Sequence, residues 1–153
     1  MRSAYKYLAY LVCALVMLQA ASHAWVSSGL AKYLQDGGTI DFESDALPDF
    51  PEAAGFMIHG INGSMVIPIV ALALLIVAFL AKLPGAVAWA AGVLALVAVQ
   101  VALGFMGHSL SMLAFLHGVN ALLLFGVALM AGRRVDRLGH DAPVDDRRPV
   151  AAA

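Results

Sequence analysis

The stretch HGINGSMVIPIVALALLIVAFLA at residues 59–81 decides the fold, because a polar tetrapeptide leads into a long apolar run without Asp, Glu, Lys or Arg. A related stretch, HGVNALLLFGVALMA, occupies residues 117–131. The two copies carry His, Gly and Asn at the same spacing, and their apolar parts match in hydrophobicity and length. Repetition of this kind favours a pseudo-symmetric origin, with each copy near the start of one membrane helix.

The composition indicates an integral membrane protein. The chain has 153 residues, of which 62% are hydrophobic and only 12% charged, and its mean hydropathy is +0.87. A bilayer core of about 30 Å needs about 20 helical residues, and four apolar runs are long enough. We predict an all-α, up-down-up-down four-helix bundle, a pseudo-repeat of two helical hairpins, with helices at about 4–30, 53–81, 86–106 and 110–131.

The domain organisation follows from these runs. Residues 1–132 form the membrane domain, with an outer loop at 31–52, and 133–153 form a flexible cytoplasmic tail because they lack apolar periodicity. A second interpretation of the N-terminus stays open, since Ser22-His23-Ala24 after a basic start also resembles a signal-peptide cleavage site. The apolar character continues to Leu30, which favours a retained first helix.

Charge and cysteine content set the orientation and limit the cofactor chemistry. The lone cysteine, Cys13, excludes an intramolecular disulfide and a Cys-x-x-Cys-His haem attachment, so a haem would be bound non-covalently. The outer loop is acidic, whereas basic residues fall on the opposite side of a four-span model. The positive-inside rule then predicts a multi-pass protein of the cytoplasmic (inner) membrane with both termini in the cytoplasm. The basic residues are Arg2, Lys6, Lys82, Arg133, Arg134 and Arg137.

The repeated histidines are the candidate metal ligands. His59 and His117 lie at similar depths in helices two and four, which are diagonal neighbours in such a bundle, and two facing histidines suit a haem iron. We therefore predict haem b between them. An open alternative is that these histidines only form hydrogen bonds between helices.

Other residues at this depth are candidates for contact with the cofactor. Asn62 and Asn120 share a helix face with the histidines and could bond to histidine, to a propionate or to another helix. His23, at a similar depth, is a candidate supporting residue, and His108, nearer the outer surface, is a candidate interfacial residue. Small residues would give a macrocycle room: Gly60, Gly63, Gly104, Gly107, Gly118 and Ala121. Gln19 and Gln100, unusual inside apolar spans, are predicted to hydrogen-bond between helices.

Three stretches resemble one half of haem A synthase, a family of two four-helix bundles with haem-ligating histidines on the second and fourth helix of each half. They are Phe56-Met57-Ile58-His59, Gln100-Val101-Ala102-Leu103-Gly104 and Leu116-His117-Gly118-Val119-Asn120-Ala121. The resemblance covers about residues 53–131 and implies that His59 and His117 are axial ligands. The chain also resembles a bacterial family of small four-helix membrane proteins of unknown function.

The chain departs from the haem A synthase pattern at several positions. That family has an acidic residue three positions before the helix-two histidine and commonly an arginine after it, where this chain has Phe56 and Gly60. The outer-loop cysteine pair of many members is missing, and there is one bundle instead of two. Haem A synthesis by this chain alone is therefore not expected.

Three functional classes remain open. The first is a b-type haem protein that transfers electrons or takes part in haem-linked redox chemistry near the outer membrane face. The second is an enzyme or haem-handling protein using His23 or His108, although no ordered acid, base and nucleophile are visible. The third is a non-haem assembly or transport subunit whose histidines and amides are structural. The expected partners are the lipid bilayer and a quinone or membrane redox partner, with a homodimer also compatible and no nucleic acid.

Overall fold

The computed structural model describes residues 1–41, 43, 44 and 46–140, and this part of the chain is all-helical. A 3₁₀ turn, Pro51–Ala53, precedes α2, and a π-helical turn, Asn62–Val66, joins α2 to α3. The helices are α1 Arg2–Gln35, α2 Ala54–Ile61, α3 Ile67–Ala81, α4 Ala86–Gly107 and α5 Ser111–His140.

Four helical segments are long and apolar enough to cross a membrane, which confirms the prediction of a multi-pass membrane protein. They are Arg2–Gln35, Pro51–Ala81, Ala86–Gly107 and Ser111–Arg137. We refer to them as the first to fourth spans.

The helices of the first and fourth spans, α1 and α5, are longer than their apolar runs. Helix α1 extends to Gln35, and α5 continues through Arg133 to His140. The first part of the predicted flexible tail is therefore helical, while residues 141–153 lie outside the described residues. Hydropathy marks where an apolar segment ends, but a helix can continue beyond that point with polar residues.

The second span changes its winding directly after the first histidine tetrapeptide. The π-helical turn begins at Asn62, and α3 begins with Pro68 in its first turn. A proline has no N–H to donate, and its ring clashes with the carbonyl four residues earlier in a regular α-helix. The wider turn before Pro68 accommodates the proline, and Ser64 donates its hydroxyl to the carbonyl oxygen of Gly60 at 2.6 Å.

At one end of the bundle, all four spans meet in a continuous buried core. Tyr5, Leu74, Val93 and Leu124 come from the four spans in turn, and each is at most 1% exposed. The Tyr5 hydroxyl donates a hydrogen bond to the carbonyl oxygen of Ala86 at 3.2 Å. We call this region the packed end. Small buried side chains let the helices approach closely there: Ala9, Ala71, Ala78, Ala90, Ala128 and Ala131.

The opposite end, which we call the histidine end because it contains His59 and His117, is filled much less completely. None of the residues between Val97 of α4 and Asn120 of α5, a stretch that is described in full, is buried. Helix α2 packs against α1. A small separate cluster of buried residues joins α1 to the chain before α2: Val26, Phe50 and Ala53. The large buried core thus lies at the packed end, whereas His59 and His117 are partly exposed.

Candidate functional site

The two repeated histidines come together although 58 positions separate them in the sequence. The ring centroids of His59 in α2 and His117 in α5 are 6.2 Å apart, and the ring planes are inclined by 47°. Both residues are partly buried. The structure therefore places two imidazoles from different spans side by side at the histidine end.

The first histidine is held against α1 by a cluster of hydrogen bonds. The Nδ1 atom of His59 lies 3.1 Å from the backbone oxygen of Gln19. One turn further along, the side-chain amide of Asn62 donates to the backbone oxygen of Leu15 and to Oε1 of Gln19, both at 3.0 Å. We call Gln19, His59 and Asn62 the first cluster.

The second histidine is held against α4 by the same kinds of atoms. The Nδ1 atom of His117 lies 3.0 Å from the backbone oxygen of Gln100. The Asn120 amide donates to the backbone oxygen of Leu96 at 3.0 Å and to Oε1 of Gln100 at 2.6 Å. In addition, Nε2 of Gln100 donates to the backbone oxygen of His117 at 3.0 Å. We call Gln100, His117 and Asn120 the second cluster.

These bonds confirm the prediction that the two glutamines hydrogen-bond between helices. They also show what the asparagines do, since each asparagine bonds to the neighbouring helix. Sequence reasoning missed that the backbone carbonyls of Gln19 and Gln100 hold the histidine rings. The sequence does contain a sign of this pairing, because Gln19 and Gln100 lie in the spans that directly precede those of His59 and His117.

The hydrogen bonds determine which histidine nitrogen is available to a ligand. A backbone carbonyl only accepts, so the Nδ1 atoms of His59 and His117 carry the protons that they donate to it. Neutral imidazole then keeps its free lone pair on Nε2. Metal-ligating histidines are commonly oriented by such a bond from the other ring nitrogen to a carbonyl. In both rings Nε2 is then the nitrogen that would accept a bond to a metal.

The spacing of the rings fits two axial ligands of one metal ion. Two imidazoles with metal–nitrogen bonds of about 2 Å have ring centres roughly 6 Å apart, close to the observed 6.2 Å. Among the residues that the structure describes, no group of three or more His, Cys, Asp and Glu side chains is placed to hold a metal ion. A site here would depend on two protein ligands, which is the requirement of a haem iron.

The other two candidate histidines differ in their positions. His23, on α1, is exposed, and its ring centroid lies 5.3 Å from that of His59. His108 is exposed at the end of α4. No hydrogen bond or ring contact joins His108 to the described residues around the two clusters. The structure therefore brings His23 into the site and leaves His108 apart from it.

Four of the five glycines predicted to make room for a cofactor fall into two pairs, and the fifth, Gly107, packs against Ala114. Beside Gly60 and Gly118 there is open space where a side chain would start. Beside Gly63 lies the Gln19 side chain, and a Cβ on Gly104 would be 3.2 Å from Cε1 of His117. Gly60 and Gly118 are thus exposed, with no atom close to the position of a Cβ, whereas Gly63 and Gly104 allow the two clusters to pack.

Comparisons of the chain with protein-family models, with curated proteins and with solved structures gave no match.

Proposed function

We propose that this chain is an integral membrane b-type haem protein with His59 and His117 as axial ligands, acting in electron transfer or haem-linked redox chemistry. The observation that carries the proposal is the pair of imidazoles, 6.2 Å apart, with each Nδ1 bonded to a backbone carbonyl. This arrangement leaves the Nε2 lone pair of each ring free to bind a metal, and the distance between the rings suits two histidine ligands of one iron.

The contrast between the two ends of the bundle supports the same proposal. The packed end has a continuous core, whereas residues 98–119, including the ends of α4 and α5 that meet there, contain no buried residue. Side chains without neighbours lose the dispersion contacts of a close-packed interior. A flat apolar macrocycle at the histidine end would supply those contacts, and Gly60 and Gly118 leave room beside it.

The proposed topology is up-down-up-down, with two hairpins as a pseudo-repeat and a Gln-His-Asn cluster in each. Its orientation follows from charge: the packed end carries the basic residues Lys6, Arg133 and Arg134, so by the positive-inside rule it faces the cytoplasm. The histidine end then lies towards the outer face of the cytoplasmic membrane, and the acidic loop between α1 and α2 faces outwards.

Ligation by two imidazoles favours electron transfer over oxygen binding, because both axial positions of the iron are filled. The protein's part is to hold the two rings in place. A single haem near the outer face would exchange electrons with a quinone or with a partner beyond the membrane, and it would need a second carrier to reach the inner face. The resemblance to half of haem A synthase and a homodimeric state stay predictions.

A second candidate function is a non-haem assembly or transport subunit. The observation that favours it is that each cluster already joins two helices through three or more hydrogen bonds without any cofactor. Polar side chains bonded across helices contribute to the association of membrane helices. In that case the protein is colourless.

A reduced-minus-oxidised visible spectrum of the detergent-purified protein distinguishes the two functions. We expect the spectrum of a low-spin b-type haem in the wild type, and its loss in both His59→Ala and His117→Ala, because each variant lacks one axial ligand. The matched control is His108→Ala, which removes an exposed histidine outside the site and is expected to keep the wild-type spectrum. A low-spin spectrum that persists in either ligand variant would contradict the assignment of that histidine.

A further inference from the structure

The two clusters differ at the carbonyl that holds each histidine. The backbone oxygen of Gln19 accepts from His59 and also from the buried hydroxyl of Ser22, at 3.1 Å. The residue three positions after Gln100 is Leu103, which has no such group. In a helix each carbonyl also accepts an N–H from the next turn. A carbonyl oxygen has two lone pairs, and at Gln19 they are shared by three donors: the His59 ring, the Ser22 hydroxyl and a backbone N–H. The hydrogen bond from His59 to this carbonyl is therefore the weaker of the two.

The backbone at the two histidines also differs. In the second cluster, Nε2 of Gln100 donates to the backbone oxygen of His117, which ties the main chain of α5 to α4. The structure describes Gln19 and His59 in full and contains no matching bond from the Gln19 amide to the His59 carbonyl. The main chain at His117 is thus fixed by a hydrogen bond that has no counterpart at His59.

A third difference lies in the helices that carry the histidines. His117 is in the interior of α5, which is α-helical from Ser111 to His140. His59 is in the eight-residue α2, which is followed directly by the π-helical turn. The buried Oδ1 atom of Asn62, the first residue of that turn, has no hydrogen-bond partner. Such turns often mark functional sites, and an unpaired buried acceptor lowers the stability of its local arrangement.

The neighbours of the two rings differ as well, because one is an exposed side chain and the other is helix backbone. Four residues after each glutamine, α1 has His23 and α4 has Gly104. The His59 ring lies against the exposed ring of His23, whereas the His117 ring lies against the backbone of α4 at Gly104. An exposed side chain changes rotamer easily, but the backbone of a helix does not.

From these four differences we infer that the two ligands are inequivalent: His117 is the permanent ligand of the proposed haem, and His59 is a displaceable one. With haem bound, His59 would be the ligand that an uncharged diatomic molecule of the class of carbon monoxide or nitric oxide displaces from the reduced iron. The bond from iron to Nε2 of His59 would break and a bond to the diatomic molecule would form, with no change of oxidation state. This inference rests on the proposed function and adds a ligand-binding activity to it.

The first test compares the two ligand variants in haem content and, after reduction with dithionite, in the binding of carbon monoxide. We expect His59→Gly to keep nearly the wild-type number of haems per chain and to bind carbon monoxide faster than the wild type. Added imidazole should restore its low-spin spectrum. We expect His117→Gly to lose most of its haem. Circular dichroism and thermal melting of both variants check that they fold. Equal haem loss in the two folded variants, or retention only in His117→Gly, would overturn the inference.

Removal of the competing hydroxyl is the second test, and it leaves both ligands in place. Ser22→Ala frees the Gln19 carbonyl for His59, so we expect the affinity for carbon monoxide to fall about fivefold, as the value of a neutral hydrogen bond suggests. The matched control is Ser27→Ala, which changes an exposed serine of the same helix and is expected to leave the affinity unchanged. An unchanged or higher affinity in Ser22→Ala overturns the inference.

The two tests separate this inference from the proposed function. A colourless wild-type protein contradicts the proposed function itself. A wild-type protein with a b-type spectrum that does not bind carbon monoxide, while His59→Gly and His117→Gly behave alike, leaves the proposed function intact and contradicts only the inequivalence of the ligands.

Discussion

The packed end and the histidine end use the same four spans for different purposes. At the packed end, small side chains allow close approach, and larger buried side chains from all four spans fill the centre. At the histidine end, polar bonds join the second span to α1 and join α5 to α4, and no residue between Val97 and Asn120 is buried. The difference indicates that the packed end contributes most to the stability of the bundle, whereas the histidine end holds the proposed haem ligands.

The largest expected effect is on stability at the packed end. Leu74→Ala removes a side chain that is 0% exposed, and we expect the free energy of unfolding to fall by about 2–5 kcal/mol, as for other large-to-small core substitutions. The control is Leu72→Ala on the same helix, which changes a side chain that is 50% exposed. Thermal unfolding in detergent measures both, and equal losses would contradict the buried core that we describe at the packed end.

A second prediction compares added volume at the two ends. Ala128 is 0% exposed, so Ala128→Leu should lower the free energy of unfolding by about 1–3 kcal/mol through overpacking. Open space lies beside Gly118, so Gly118→Leu should leave the unfolding of the haem-free protein nearly unchanged and reduce haem binding. Melting curves and haem content measure the two effects. A Gly118→Leu variant that keeps full haem content would show that the open space is not used by the cofactor.

The sequence predicts the four spans and the pair of histidines, but it does not predict the details of the site. Runs of apolar residues predicted all four spans, because a bilayer sets their length. The π-helical turn could not be predicted from the apolar pattern, which continues unchanged through Met65 and Val66, although Pro68 is a sign of local disturbance. The bonds from the histidines to the carbonyls of Gln19 and Gln100 depend on how the helices are rotated, and hydropathy does not determine rotation.

A third prediction sharpens the comparison between the two clusters. Asn120→Ala removes bonds to Leu96 and Gln100, and we expect a loss of about 1 kcal/mol in the free energy of unfolding. Asn62→Ala should cost less, because it also removes the unpaired buried Oδ1 atom. Denaturant titration of both variants in the same detergent measures the difference. A larger loss for Asn62→Ala would contradict the view that the first cluster is the weaker one.

The smallest expected effect concerns the ion pair between Lys6 and Asp136 at the packed end, with Nζ and Oδ1 2.6 Å apart. Both side chains are partly exposed, so Lys6→Gln should change the free energy of unfolding by no more than about 1 kcal/mol, and less in high salt. Melting temperatures at low and high ionic strength check this. A loss as large as that of Leu74→Ala would mean that the packed end depends on charge and not on its apolar core.

The most direct test of the central claim is the haem content of the wild-type protein purified from haem-replete cells. A pyridine haemochrome assay, set against quantitative amino-acid analysis, gives the number of haem b groups per chain, and electron paramagnetic resonance of the oxidised protein reports the iron ligands. We expect one haem b per chain with the low-spin ferric signal of two imidazole ligands. A colourless protein, or a high-spin iron with a single histidine ligand, would contradict the claim that His59 and His117 hold one haem between them.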